Sequence, residues 1–263
     1  MTPIIDFDEI DDWAPKLATA LSQHVPSYVG TKLALAVPQY PDNAMACLFD
    51  LSSRCAVVAA TLTWIQSSTI ASYHGSRLTA TDVESIRLTG LIPLKAEARR
   101  NRLVRALSSH VDWPNVADQL DSTLRKYGQQ SAAGRRQQQV HLTLSKAGLK
   151  ERFNHYLIYG AEFDQHVACA LLGKSGVDLL ARDGRPTLIR IATPGVLALN
   201  AAHPHFSVDE MQARDEIPNL AREFLKAWSY RLAHPGFQAR TLTVDCGMVF
   251  NSIVPAGWIV SID

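Results

Sequence analysis

The chain has 263 residues, of which 47% are hydrophobic and 19% are charged, and its formal net charge is +1. This composition is typical of a globular protein with enough apolar residues for a core, and the length suits one large domain or one domain with a smaller appendage. A net charge near zero gives no preference for or against nucleic acid, because local patches do not show in a total. The four cysteines are scattered and form no CxxC pair, which argues against a disulfide framework or a zinc ribbon.

The first residues do not have the pattern of a secretory signal, because residues 1–12 contain acidic side chains and no basic ones. No uninterrupted apolar run reaches the roughly 18 residues that a membrane-spanning helix requires. Together with the scattered cysteines, these features predict a cytoplasmic protein with reduced thiols that does not contact a membrane.

Residues 1–66 are predicted to be helical and to form an N-terminal cap on a main domain at residues 67–263. One helix follows the entry signal at Trp13 and Pro15. A second helix is indicated by the apolar spacing that leads towards Trp64. Nothing in this part of the chain is typical of a chemical site, so we expect it to pack on the main domain.

The stretch from Ser72 to Thr79 combines an aromatic ring, an imidazole, a glycine and a hydroxyl at Tyr73, His74, Gly75 and Ser76. The β-branched and apolar residues before it predict a strand. A polar cluster between a strand and a helix is suited to a ligand site lined by backbone atoms. The alternative is an ordinary strand-to-helix turn that contains a histidine.

The helix after this stretch is predicted over residues 82–89. Thr81 and Glu84 have the spacing of a capping box, and Gly90 is a stop signal. A basic amphipathic helix follows from Lys95 to Leu107, and its arginines are predicted to lie on a solvated face.

The remaining chain alternates long helices with short strands. Residues 129–139 are rich in glutamine and predict a mobile loop. Strands are predicted at 140–145, 187–192 and 240–250, and a helix is predicted to begin near Pro218. The strands are too far apart for regular βαβ units, so the pattern favours an α+β fold.

Several common motifs are absent or incomplete. Gly173, Lys174 and Ser175 match the end of a phosphate-binding loop, but Ala168 stands where the first glycine is required. No G-x-S-x-G elbow and no G-x-G-x-x-G turn is present. His203 and His205 lack a third ligand at metal spacing, so no metal site is predicted.

The stretch at 72–76, with the helix that follows it, resembles the first signature of the ADP-ribosyltransferase superfamily. It is most similar to the branch of diphtheria toxin and poly(ADP-ribose) polymerase, in which Tyr-His-Gly-Thr or His-Gly-Ser opens the NAD site. The second signature of that family is a strand followed by a tyrosine that covers the nicotinamide. Residues 140–145 and then Tyr156 or Tyr159 occupy this place, although Leu142 stands where the family has tyrosine.

The third signature is a strand that bears a catalytic acid. Residues 238–245 resemble this strand, and Asp245 stands where the family has glutamate. The shorter side chain reduces the reach by one methylene group. Glu162 is the alternative acid, although it lies in a different segment.

The resemblance implies a split β-sheet core with helical insertions and an N-terminal helical cap. It also implies an enzyme that takes NAD as co-substrate, transfers ADP-ribose to a macromolecular acceptor and releases nicotinamide, as intracellular toxins and defence effectors do. The implied catalytic residues are His74 and Asp245. The implied NAD-binding residues are Tyr73, His74, Gly75, Ser76, Arg77, Thr143, Ser145, Tyr156 and Tyr159.

Three alternatives are open at this point. An NAD-dependent RNA 2′-phosphotransferase resembles the same family, and it would need Arg77, Arg99, Arg100 and Arg190 around the site. A catalytically inactive module that binds NAD or ADP-ribose is favoured by the departures at residues 142 and 245. A Ser-His-Asp hydrolase is compatible with the composition.

Overall fold

The computed structural model describes residues 3–128, 138–203 and 205–263, with the side chains of residues 96 and 97 excepted. Six strands belong to one sheet: β1 (Ile4–Ile5), β2 (Thr69–Leu78), β3 (Val140–Thr143), β4 (Arg185–Pro194), β5 (Gly247–Phe250) and β6 (Ile259–Ile262). The order across the sheet is β5-β3-β2-β4-β6, and β1 pairs with β2 in addition. The β1–β2 pair is parallel and the β4–β6 pair is antiparallel.

The helices occupy most of the remaining described chain, so the predicted α+β class is confirmed. The α-helices are α1 (Ile10–Leu21), α2 (Val29–Ala36), α3 (Pro41–Leu51), α4 (Arg54–Gln66), α5 (Ala80–Thr89), α6 (Ala96–Leu107), α7 (Trp113–Val116), α8 (Leu120–Lys126), α9 (Lys146–Glu151), α10 (His155–Tyr159), α11 (Glu162–Leu180), α12 (Gly195–Ala201), α13 (Val208–Ala213) and α14 (Asn219–Ala233). Short 3₁₀ turns lie at Ala117–Gln119, Ala239–Leu242 and Ala256–Trp258. The resemblance implies a split sheet, whereas the described strands form a single one.

The chain divides into two compact units. The first contains residues 1–72, 143–148 and 192–248. Its core is built around α14, which packs against α2 and α3. Four aromatic rings meet there at Phe7, Trp13, Trp64 and Phe224, with centroid distances of 4.9 to 6.3 Å between contacting pairs.

Asp8 joins the N-terminal segment to residues 143–148 within this unit. Its carboxylate accepts hydrogen bonds from the Ser145 hydroxyl at 2.8 Å and from the Ala147 amide at 2.9 Å. These bonds satisfy donors at the start of α9. The N-terminal 66 residues therefore share a compact unit with later segments, and the boundary expected at 66/67 does not coincide with the border of a unit.

The second unit contains residues 73–142, 149–191 and 249–263. In it α11 packs against α6 and α8. Their shared core includes Leu103, Leu107, Phe163 and Val167, all at most 3% exposed. Gly173 breaks the helical path of α11, because its φ of 62° lies in the left-handed region that favours glycine.

The sequence predicts a strand before residue 72 and a polar cluster between that strand and the next helix, but residues 72–78 themselves lie within β2. Sheet pairing and burial on both faces override the turn preference of the small polar residues. Because the strand runs to Leu78, the capping box of α5 is formed by Thr79 and Asp82 rather than by Thr81 and Glu84. The predicted end of this helix at Gly90 is confirmed.

The C-terminal region differs more from its prediction. Residues 239–242 form a 3₁₀ turn and residues 243–246 are irregular, so the strand predicted at 240–250 begins only at Gly247. One other boundary is confirmed, because α14 begins at Asn219 and Pro218 stands at its N-cap. The loop predicted at 129–139 lies, for residues 129–137, outside the described residues.

Within the described residues, no single helix is long and apolar enough to cross a membrane, although α3 and α4, bent by 115° relative to each other, pass the same test of length and composition as a pair.

Candidate functional site

A cavity of about 150 Å³ lies within the second unit. It is lined by residues 74–76 of β2, by Leu91, Ile92 and Leu94, by Arg99 of α6, by residues 139–141, by Tyr156 and by residues 161–163. A cavity of this size accommodates one six-membered ring. It is smaller than the roughly 300 Å³ or more that an enclosed pocket for a larger ligand occupies, so most of a dinucleotide would extend beyond it.

His74 contributes an imidazole ring with a defined proton position. Its Nδ1 lies 2.9 Å from the carbonyl oxygen of His141. A carbonyl oxygen only accepts hydrogen bonds, so Nδ1 carries the proton and donates it. Burial lowers the pKa of His74 below its ordinary value, and the charge of Arg99 lowers this pKa further. The ring is therefore neutral near pH 7, which leaves Nε2 as a hydrogen-bond acceptor.

Gly75 allows β2 to approach a neighbouring side chain. A Cβ atom at this position would meet the Leu149 Cδ2 methyl at 2.9 Å. This distance is shorter than normal carbon–carbon contacts, so packing against Leu149 requires the missing side chain. His74 and Ser76 alternate with Gly75 along the strand and share its opposite face.

Glu162, the first residue of α11, is the carboxylate of the cavity wall. Its Oε1 accepts a hydrogen bond from the Tyr156 hydroxyl at 2.8 Å and lies 3.1 Å from His155 Nε2. The side chain of Glu162 is 29% exposed. The rings of His155 and Tyr156 lie with their centroids 4.1 Å apart. The three side chains thus form a hydrogen-bonded group that includes one carboxylate beside the cavity.

Arg99 is the cation of the same wall, and it belongs to a network of ion pairs. It binds Asp164 through two nitrogen atoms, Nε and Nη2. Asp164 is fully buried and also lies 3.3 Å from Arg102 Nε. Arg102 connects onward to Asp183, at 3.5 Å. The prediction that these arginines lie on a solvated helix face is wrong for Arg102, which is 6% exposed, because buried aspartates compensate its charge.

Five of the predicted site residues thus line one cavity: His74, Gly75, Ser76, Tyr156 and Glu162. Of the two tyrosines that the sequence leaves open, Tyr156 lines the cavity and Tyr159 does not. Tyr73, at 2% exposed, belongs to the core of the second unit rather than to the cavity wall.

Arg77 is not among the lining residues. Its guanidinium donates to three backbone carbonyl oxygens, those of Leu157, Asp183 and Gly184, at 2.6 to 3.4 Å. Burial lowers its pKa. These contacts give it a structural role at the end of β2, where the chain leaves the sheet.

The other predicted site residues belong to the first unit. Ser145 is fully buried and donates to Asp8, so its hydroxyl serves the start of α9. Thr143 is 7% exposed, and its hydroxyl has no hydrogen-bond partner among the described residues. Asp245 is exposed and lies in the irregular segment before β5. None of these residues lines the cavity.

Sequence reasoning missed several wall residues. Leu91, Leu94 and Phe163 are apolar residues with no motif that marks them as ligand contacts. The sequence placed Arg99 on a solvated face and named it at the site only for the phosphotransferase alternative. Its position depends on Asp164, 65 residues later, which the packing of α6 on α11 brings to it.

A serine–histidine–aspartate group exists elsewhere in this unit but has the wrong hydrogen-bond polarity for a hydrolase. His110 Nε2 lies 2.9 Å from the Ser175 hydroxyl. The Asp112 amide donates to His110 Nδ1 at 3.1 Å, so Nδ1 has no proton and the neutral ring must carry it on Nε2. Nε2 then donates to the serine instead of accepting its proton, which is the reverse of a catalytic triad.

A larger open depression of about 540 Å³ is lined mainly by residues 78–87 and 184–185, and it contains none of the predicted site residues. Among the described residues, no group of three or more histidine, cysteine, aspartate or glutamate side chains is arranged to hold a metal ion.

In comparisons with known proteins, no family model, no curated protein and no solved structure matches this chain.

Proposed function

We propose that the protein binds NAD with the nicotinamide ring in this cavity and transfers ADP-ribose to a macromolecular acceptor, with release of nicotinamide. The observation that carries the proposal is the convergence of two distant sequence signatures on one ring-sized cavity. Residues 74–76 come from the first signature, and Tyr156 comes from the second. The ADP-ribosyltransferase-like fold remains part of the proposal.

The chemistry of the wall suits cleavage of the bond between ribose and nicotinamide. As this bond breaks, its electron pair moves to the ring nitrogen, so a neutral nicotinamide departs and positive charge develops on the ribose. A carboxylate beside the developing cation stabilises it. We assign this role to Glu162, because it lines the cavity and Asp245 does not.

His74 and Tyr156 supply binding interactions in this proposal. The neutral His74 ring presents Nε2 as an acceptor for a ribose hydroxyl. Tyr156 offers an aromatic face to the planar pyridinium ring. The acceptor nucleophile then forms a bond to the same ribose carbon and loses its proton to a base or to water.

The RNA 2′-phosphotransferase alternative receives less support. Of the four arginines that it requires, Arg99 lines the cavity. Arg77 is occupied by backbone carbonyl groups, and the half-exposed Arg100 pairs with Asp121 at 2.8 Å. A phosphate grip made of all four side chains is therefore not assembled around the cavity.

The test is nicotinamide release from NAD by the purified protein, measured by chromatography. We expect His74→Ala to reduce release by roughly 100-fold, as removal of a key polar group from an active site does. His24→Ala is the control, because His24 is exposed and lies outside the cavity. Thermal unfolding of both variants checks that each is folded.

A labelled-NAD reaction with separate protein, RNA and DNA fractions then identifies the acceptor. The absence of both NAD binding and nicotinamide release would refute the proposal. NAD binding without release in any fraction would instead support an inactive binding module. Consumption of NAD that requires 2′-phosphorylated RNA would favour the phosphotransferase.

A further inference from the structure

We propose that Arg99 binds a phosphate group of the ligand through the edge of its guanidinium that Asp164 leaves free. One source of this phosphate is NAD, in which a phosphate lies next to the nicotinamide ribose, and for this source the inference rests on the proposed function. The same chemistry would also serve a phosphate of the acceptor, and the experiment below distinguishes these two sources.

The free edge follows from the hydrogen bonds of Arg99. A guanidinium has five N–H donors. Asp164 accepts from Nε at 2.9 Å and from Nη2. Among the described side chains, no acceptor engages Nη1 of Arg99. The side chain is 23% exposed and lines the cavity, so the donors that Asp164 does not use can meet a ligand there.

The aspartates around Arg99 are shared with other arginines. Asp164 is shared between Arg99 and Arg102, and Asp183 is shared between Arg102 and Arg105. Arg77 and Asp82 are the other charged groups that influence this network. Asp164 therefore does not pair with Arg99 alone, and a ligand phosphate can give the Arg99 guanidinium a second anionic partner.

The network also fixes the position of Arg99. Asp164 is fully buried, and Arg102 is held by a 2.6 Å hydrogen bond to the carbonyl oxygen of Arg77. A side chain held in this way loses little entropy when it binds a ligand. We therefore infer that Asp164 is a positioning residue that orients the guanidinium towards the cavity.

A nicotinamide nucleotide matches the two charges of the wall. Glu162 is anionic and Arg99 is cationic, and both line the cavity. An isolated anion would be repelled by the Glu162 carboxylate. A pyridinium ring that is linked through ribose to a phosphate carries both complementary charges in one molecule, so it can satisfy each residue.

The test compares nicotinamide riboside and nicotinamide mononucleotide, which differ only in one phosphate group, and adds two further phosphate-bearing probes. Calorimetry measures binding of nicotinamide riboside, nicotinamide mononucleotide, NAD and inorganic pyrophosphate to the wild-type protein. We expect the mononucleotide to bind at least about tenfold more tightly than the riboside, the size of one hydrogen bond between charged groups. Arg99→Gln should remove this difference without changing riboside binding.

Arg100→Gln is the matched control. Arg100 is the next residue of α6, and it is half-exposed, pairs with Asp121 and does not line the cavity. This variant should preserve the difference between mononucleotide and riboside. If Arg99→Gln does not fold because Asp164 has lost its partner, Arg99→Lys is the second variant. Lysine keeps the positive charge but lacks the planar set of guanidinium donors, so the difference in affinity between mononucleotide and riboside should still fall several-fold.

The outcomes separate the two proposals. Arg99→Gln with an unchanged preference for the mononucleotide overturns the inference and leaves the proposed function intact. If the wild-type protein does not bind NAD but binds pyrophosphate through Arg99, the proposed function is overturned. The phosphate that Arg99 recognises then belongs to a different ligand. A protein that binds none of the four probes contradicts both.

Discussion

At the scale of single residues, His74 shows how burial and one hydrogen bond define a chemical state. The sequence places a histidine in a suggestive motif, but its tautomer depends on the His141 carbonyl, 67 residues away. The same is true of Arg99, whose function depends on which of its donors Asp164 occupies. Residue identity therefore supplies the functional group, and its partners decide what that group can do.

The lowered pKa of His74 predicts a pH dependence of stability. Burial disfavours the protonated ring in the folded protein, whereas the unfolded chain protonates near pH 6.5. Below that pH the unfolded state binds more protons, so the free energy of unfolding decreases as the pH falls. This decrease in the free energy of unfolding ends once the pH is below the pKa of His74 in the folded protein. Urea unfolding between pH 7.5 and pH 5 measures this slope.

His74→Gln should reduce the slope but not abolish it, because burial also lowers the pKa of His203. The exposed His24 provides the matched control substitution, His24→Gln. An identical slope in the wild-type protein and in His74→Gln would show that His74 titrates normally. A histidine titration by NMR measures the same pKa directly.

At the scale of secondary-structure elements, the strongest sequence signals are local. The end of α5 at Gly90 and the start of α14 both agree with the sequence. These features depend on neighbours within a few residues. The sequence predicts a strand only before residue 72, and its continuation through residues 72–78 depends on pairing with β3 and β4.

The end of α5 gives a prediction with a close control. Gly90 has a φ of 82°, and a Cβ there would lie 2.1 Å from the Val254 carbonyl oxygen. Gly90→Ala should therefore destabilise the protein by several kcal/mol, beyond the roughly 1 kcal/mol of an ordinary glycine conformation. It should also weaken NAD binding, because Leu91 and Ile92 of the cavity wall follow directly.

Gly30→Ala is the control for this substitution. Gly30 lies inside α2, and a Cβ there meets nothing within 4 Å. Alanine in a helix interior stabilises it by about 0.5–1 kcal/mol relative to glycine. Denaturant midpoints of the two variants should thus move in opposite directions, and equal midpoints would contradict the contact with Val254.

At the scale of the whole molecule, the two candidates for the catalytic acid belong to different compact units. Glu162 belongs to the unit that contains the cavity, and Asp245 belongs to the other. The sequence favours Asp245 because of its position in a family pattern. The packing of α10 against α11 places Glu162 beside Tyr156 instead.

The two acids give opposite expectations for matched variants. Glu162→Gln should reduce nicotinamide release by about 100-fold or more, because it removes the charge that stabilises the ribose cation. Asp245→Asn removes an exposed carboxylate outside the cavity and should retain nearly full activity. Initial rates of release at saturating NAD measure both effects. If Asp245→Asn loses most of its activity and Glu162→Gln remains active, Asp245 is the catalytic acid, as the sequence predicts.

The sequence by itself determined the α+β class, several helix ends and the motif at residues 73–76. Each of these depends on periodicity, capping or residue type within a short window, which the chain carries locally. Only the tertiary structure decided that the motif lies on a central strand, that Tyr156 rather than Tyr159 lines the cavity, and that Arg99 pairs with Asp164. Those features depend on contacts between residues far apart in the chain, whose geometry is set by how helices and strands pack together.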